Sequence, residues 1–151
     1  MTLVDTNLLI YSTFVGSPEH GPARSWLSAQ LSQGAGGVVL CWPVIYAFVR
    51  LITSSKVFGE EALSVRHGWR VAGGYLDQPA ARLVAPGVGH RAIAIELAQT
   101  PALRSDDVPD IELAALAIEH GLVLASHDRG FRRFSRLRFI DPLEAREEFH
   151  R

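Results

Sequence analysis

The chain is poor in the features that would assign it quickly. It has one cysteine, Cys41, set in an apolar run. There is no second thiol to bridge and no cysteine set for zinc, so a buried core thiol in a reducing compartment is the expectation. A net charge of −1 with 21% charged residues lacks the global basic signature of a nucleic-acid binder. Broad, non-specific affinity for nucleic acid is thereby disfavoured, and any contact surface should be small and local. No apolar run approaches the roughly 20 residues that a bilayer requires. The amino terminus has no basic region, and Asp5 interrupts its short apolar stretch, so no signal peptide is expected and the cytoplasm is the expected location. Internal repeats, low-complexity runs and dividing linkers are missing as well, which predicts a single domain over residues 1–151. No glycine-rich phosphate loop or Ser-His-Asp order stands out, and the six histidines form no ligand cluster.

What is present is an alternation of short apolar runs and helical patterns within a chain that is 48% hydrophobic, enough for a full core. The most informative stretch is Asp107 to Asp128, DVPDIELAALAIEHGLVLASHD. Asp107 reads as an N-cap, Val108 and Pro109 open a helix, and Asp110 lies in its first turn. Ile111, Ala114, Ala115 and Ile118 recur at helical spacing, with Leu113, Leu116 and Ala117 beside them. His120 falls in the last turn, and Gly121 is placed to end the helix in the left-handed conformation. Leu122 to Ala125 then reads as a strand covered on both faces, surfacing at Ser126-His127-Asp128.

Thr2 to Val4 is another short strand, ending in Asp5-Thr6-Asn7 before a helical pattern. In open α/β sheets the functional crevice lies outside the carboxyl ends of the strands. Asp5, Asp110 and Asp128 should therefore meet at one sheet edge, as an acidic cluster that a divalent metal would hold together. Each has an ordinary structural alternative: Asp5 an N-cap, Asp110 a helix-dipole partner, Asp128 a turn residue.

The remaining chain is read as follows. Ser17-Pro18-Glu19 signals a helix start with Pro18 at its first position, and Ala23, Trp26, Leu27 and Leu31 form the stripe. Val38 to Trp42 is a strand, and Pro43 opens a helix with Ile45, Phe48, Val49 and Ile52 at core spacing. Ala47 and Arg50 share a face of that helix, so Arg50 could pair with a site acid or meet a phosphate. Glu60 and Glu61 favour a further helix start, and with Trp69, Val71 and Tyr75 suggest a helical hairpin suited to a partner chain. Ala81 to Pro86 is a candidate edge strand. His90 to Gln99 is a helix with Ile93, Ile95 and Leu97 apolar. Arg129, Arg132, Arg133, Arg136 and Arg138, with Phe131 and Phe134 interleaved, form a local surface suited to phosphate, or else a solvated face over two core phenylalanines. Phe139-Ile140 is a last strand, and Pro142 to Arg151 a charged tail.

VDTNLLIY, WPVIYAFVRLIT, VPDIELAALAIEHG and LASHDRGFRRF, in this order and spacing, resemble the PIN-domain ribonucleases, most of all the VapC toxins of bacterial toxin–antitoxin pairs. The resemblance spans nearly the whole chain. It implies an α/β fold, a three-layer α/β/α sandwich with a mainly parallel central sheet, and an RNA-cutting activity that uses Mg²⁺ or Mn²⁺. Asp5, Asp110 and Asp128 match the family's first, third and fourth acids, in metal-binding and catalytic roles. Asn7 and Ser126 become supporting donors and, with Arg50 and Arg129, candidates for holding the RNA. The implied partners are RNA, a small antitoxin protein and a second copy of the chain, with no membrane. Two departures stand out. The family often has glutamate where Ala47 stands and a further acid where Gly130 stands, whereas Asp107, where many relatives have asparagine, is a possible additional acid. A weakened member that binds RNA or an antitoxin without efficient cleavage is the alternative reading. A haloacid-dehalogenase-like phosphatase would need aspartate at Asn7.

Overall fold

The computed structural model describes residues 1–34 and 37–144. Ala35 and Gly36 of the loop before the second strand, and the expected tail from Ala145 onward, lie outside them. Five strands form one sheet: β1 (Thr2–Val4), β2 (Val38–Leu40), β3 (Ala81–Leu83), β4 (Val123–Ala125) and β5 (Phe139–Ile140). Their order is β3-β2-β1-β4-β5 and every pairing is parallel, so the expected sheet is found, parallel throughout its described strands. The order reverses direction at β1, which places a topological switch point between β1 and β4. Register is fixed there by Thr2 opposite Val123, Leu3 opposite Leu124 and Val4 opposite Ala125. Leu3, Val4, Leu124 and Ala125 have no exposure, because helices cover both faces of these central strands.

The helices are α1 (Thr6–Thr13), α2 (His20–Leu31), α3 (Trp42–Ile52), α4 (Ser55–Phe58), α5 (Val65–Leu76), α6 (His90–Leu97) and α7 (Val108–Glu119). Together with the sheet they make the three-layer α/β/α sandwich. α1 packs on α2 and α3, α3 on α5, and α6 on α7. Gly68 lets α5 approach α3 closely, since a Cβ there would stand 2.7 Å from Thr53 Cγ2. Gly121 adopts φ 64°, the left-handed stop expected after α7.

Several sequence boundaries move, each for a local reason. α2 begins at His20 rather than Pro18, because the Ser17 hydroxyl is engaged with Glu19 in a turn, and it is Pro22 that sits in the first helical turn. β2 stops at Leu40, and Trp42 is the exposed first residue of α3. Glu60 and Glu61 lie in a 3₁₀ turn, while α5 starts at Val65, capped by Ser64, whose hydroxyl accepts from His67 N at 3.1 Å. Ile95 is exposed and Leu97 alone of the α6 apolar set is buried. In α7 the buried residues are Leu113 to Ala117, with Ile111 and Ile118 only at the margin of the core.

Candidate active site

β1 and β4 each end at the switch point and release a polar segment there. Asp5 caps α1, its Oδ1 accepting from Thr6 N at 2.7 Å. Ser126 follows β4, is wholly buried, and donates its hydroxyl to Asp5 Oδ2 at 2.6 Å. The same hydroxyl oxygen accepts from Asn7 Nδ2 at 3.1 Å and from Asp128 N at 3.0 Å. A serine hydroxyl has one donor and two acceptor positions, so its capacity is fully used. Asn7 Oδ1 in turn accepts from His127 N at 3.2 Å, and Asp128 Oδ1 accepts from Gly130 N at 2.8 Å. Asn7 and Ser126 thus belong to a continuous network joining the two strand ends.

Asp110 arrives from the other side, on the first turn of α7, which Val108-Pro109 can open because the first helical N–H groups need no partner. Asp107 precedes it but does not cap α7. Its backbone is already helical, and its Oδ2 accepts from Arg104 N at 2.8 Å, closing the 3₁₀ turn Ser105–Asp107. Arg133 links these two acids: its Nη2 lies 2.8 Å from Asp110 Oδ2 and 3.2 Å from Asp107 Oδ1.

The acids feel one another. Burial pushes the Asp5 carboxyl above its ordinary value; the Ser126 and Thr6 hydrogen bonds oppose this, and the charges of Asp110 and Asp128 add to it. Burial raises Asp110 too, opposed by its Arg133 hydrogen bond and reinforced by Asp128 and Asp107. Between Asp5 and Asp110 lies a cavity of about 110 Å³ that is also lined by Cys41, Ala47 and Glu112. Ala47 does face the site. Glu112, two residues after Asp110, is a carboxylate that the motif reading overlooked, since its exposed place on α7 reads as ordinary solvation.

The arginines divide. Arg50 is exposed, forms no ion pair with a described residue and is not part of the cavity lining. Arg129 pairs with Glu144 at 3.1 Å, as does Arg132. Arg136 pairs with Glu96 at 2.6 Å, and Arg138 donates to the Gly121 carbonyl. Phe131 and Phe134 are in the core. Of the run, Arg133 alone reaches the site acids among the described residues. Another missed group is Asp141, at the carboxyl end of β5, buried and 2.9 Å from His127 Nδ1. The rule that found Asp5, an acid closing a strand, applies equally to it.

The donor set suits a hard cation. Cys41 is buried, which pushes its thiol up to about 11, so it stays protonated and the cavity offers carboxylate oxygen. Among the described residues no three acidic, histidine or cysteine side chains converge into a ready cage. Mg²⁺ does not need one, because it keeps several waters and takes one or two carboxylates.

The chain belongs to the PIN-domain family, in its VapC branch: the PIN domain model matches residues 2–137, and curated VapC proteins align along nearly its full length. Ribonuclease VapC43 of Mycobacterium tuberculosis is 34% identical over 144 residues, covering 95% of this chain and 97% of its own. Ribonuclease VapC37 of the same organism is 35% identical over 147 residues, with 94% and 97% covered. The solved structure of FitAB bound to an IR36 DNA fragment has the same fold, with a TM-score of 0.69 at 21% identity over 95% of this chain and 96% of that one. No helix of the described residues is long and apolar enough to cross a membrane.

Proposed function

We propose that this chain is a divalent-metal-dependent endoribonuclease acting as the toxin of a toxin–antitoxin pair. The observation that carries the reading is the joining of Asp5 and Asp128 through Ser126 over the switch point, with Asp110 facing them. The ribonuclease relatives supply the substrate class. Asp5, Asp110 and Asp128 would hold Mg²⁺ or Mn²⁺. Such an ion supplies Lewis acidity toward a phosphodiester and makes water easier to deprotonate.

The chain's own groups do the rest. Asp5 has one oxygen tied to Thr6 N and the other to Ser126, so it is a fixed ligand rather than a proton carrier. Asp110 has a raised pKa and Oδ1 free of hydrogen bonds with described residues, which suits it to take the proton of the attacking water. Ser126 sets the angle of the Asp5 carboxylate, and Asn7 holds Ser126 and the His127 backbone in place. Arg129, turned toward Glu144, and Arg50, away from the cavity, are assigned only to outer contacts with RNA.

In this reading residues 1–151 work as one PIN unit in the cytoplasm, as a homodimer silenced by a small antitoxin. The alternative, binding without efficient cleavage, draws on Ala47 and Gly130, which leave the site short of two carboxylates. Calorimetric titration with Mn²⁺, followed by incubation with total RNA, separates the two. Metal-dependent cleavage that Asp110→Asn removes supports the enzyme; metal binding without cleavage favours the alternative.

A further inference from the structure

Among the described residues Arg133 is the one cation paired with the site acids, and the chain builds its place with some care. The guanidinium sits over the Phe134 ring, 4.9 Å from ring centroid to Cζ, and Phe134 is anchored in the core. Nη2 bridges Asp110 and Asp107. Nη1 and Asp128 Oδ1 both border Gly130: a Cβ there would lie 2.8 Å from Nη1 and 3.0 Å from Asp128 Oδ1. The fork therefore stands against Asp110 with Nη1 in the space that a side chain at residue 130 would enter, a space Asp128 also borders. Gly130 has no positive φ, so the backbone does not call for glycine there, and a side chain at 130 would have to displace the tip of Arg133. Arg133 Nε is buried without an acceptor among the described residues, so the side chain is placed by stacking and by the two aspartates rather than by satisfying every donor.

We propose that Arg133 is a catalytic residue, the second cation of a one-metal site. It would occupy the ground where an acid at 130 would otherwise help hold another ion, and offer Nη1 to a non-bridging oxygen of the scissile phosphate. A guanidinium fork matches phosphate geometry and needs no deprotonation to act. The two departures from the family pattern then have one meaning. With Ala47 and Gly130 the site has fewer carboxylates to neutralise, and a fixed positive charge in place of an exchangeable one. The proposal rests on the ribonuclease reading above.

The test uses the purified full chain, Mn²⁺ calorimetry and a 5′-labelled random oligoribonucleotide pool. The parent should bind one Mn²⁺ per chain. Arg133→Gln should bind Mn²⁺ severalfold more tightly, because a competing cation has left, yet cleave the pool about 100-fold more slowly. Arg133→Lys, which keeps the charge but not the fork, should recover part of the rate. Two Mn²⁺ ions per parent chain overturns the proposal. So does an Arg133→Gln variant that cleaves as fast as the parent or faster, which would make Arg133 a brake on metal entry. Should the parent bind one Mn²⁺ but cut nothing, the ribonuclease reading fails on its own. Arg133 is then judged by anisotropy of the uncut pool, whose Mn²⁺-dependent binding Arg133→Gln must weaken about tenfold; unchanged binding refutes it. If Arg133→Gln does not fold, Gly130→Ala pushes Nη1 aside by contact, and an undiminished cleavage or binding there counts against the proposal equally.

Discussion

The two halves of the acid cluster are held by different physics. On the strand side, Asp5 and Asp128 are fixed by short hydrogen bonds to Ser126, Thr6 N and Gly130 N, all within the ends of two paired strands. On the helix side, among the described residues Asp110 has only Arg133 to hold it, and Asp107 is tied to a neighbouring turn. The strand half is organised before any ligand arrives. The helix half depends on which cations are nearby, and an ion pair is more sensitive to salt and competition than a saturated buried hydroxyl. This division suggests that the strand half sets where metal binds and the helix half how strongly it reacts.

The largest expected effect removes one ligand from each half. Asp5→Asn and Asp110→Asn should each lower RNA cleavage by on the order of 10³-fold, about 4 kcal/mol of barrier. Both should change stability only a little. Asp5→Asn puts an amide N–H against a Ser126 oxygen that already accepts twice, so the gain from removing a buried charge is partly lost. Asp110→Asn breaks an ion pair that is partly open to solvent, a change of about 1 kcal/mol or less. Single-turnover cleavage and thermal unfolding of both variants read this directly, and an Asp110→Asn protein that cuts at the parent rate refutes the site.

Ser126→Ala breaks the strand half alone. It leaves Asp5 Oδ2, the Asn7 amide and the Asp128 N–H each short of a partner. The destabilisation should be about 1–3 kcal/mol. Because Ser126 also lowers the Asp5 pKa against burial, its loss should weaken Mn²⁺ binding at neutral pH and slow cleavage by roughly 10- to 100-fold. A rate within twofold of the parent would mean that the network is structural only.

Ala47→Glu adds charge between the halves. Residue 47 lines the cavity with Asp5 and Asp110, so a glutamate there should tighten Mn²⁺ and raise cleavage by about tenfold, roughly 1.4 kcal/mol. In an Asp110→Asn background the same change should do little for the rate, because the missing ligand is then a different one. Equal affinity and rate in the parent and a folded Ala47→Glu variant would show that a carboxylate at 47 cannot reach the metal.

How much of this was legible in the sequence follows the same division. The strand half was readable because its signals are local: an apolar run, then Asp, with a polar neighbour one or two residues away, at Asp5-Thr6-Asn7 and Ser126-His127-Asp128. The α7 boundaries were readable from Pro109 and Gly121. Of the helix half only Asp110 was, from its place just after Pro109; Asp107 reads as a cap until Arg104 N is found on its side chain, and nothing in a run of five arginines says which one turns inward. Only the packing of Phe134 decides for Arg133, and that packing is long-range. Arg50 shows the converse error: sharing a helix face with Ala47 by spacing did not bring it into the cavity, since a step of three residues turns a helix by roughly 60° short of a full circle.

The smallest expected effect is one of pH, and its sign separates a buried carboxylate from an ordinary cap. Asp5 and Asp110 both have folded-state pKa values above the ordinary value of 3.8. A group raised in this way contributes stability that is complete below its unfolded value and is lost as pH rises through its folded one. The metal-free protein should thus carry a penalty at neutral pH that is absent near pH 4. Other groups in the chain also titrate as pH changes, so the contribution is isolated by difference. The melting temperature of Asp5→Asn minus that of the parent, both in chelator, should grow as pH rises from about 4 to 7, by a few degrees at about 3 °C per kcal/mol for a chain of this size. Saturating Mg²⁺ should reverse the trend in the parent only: protons and metal compete for the same oxygens, so the ion should stabilise the parent more at pH 7 than at pH 5. An Asp5 that merely caps α1 would have its pKa lowered by the helix N-terminus, and the difference would then shrink or change sign as pH rises. That outcome would remove Asp5 from the metal site while leaving the fold intact.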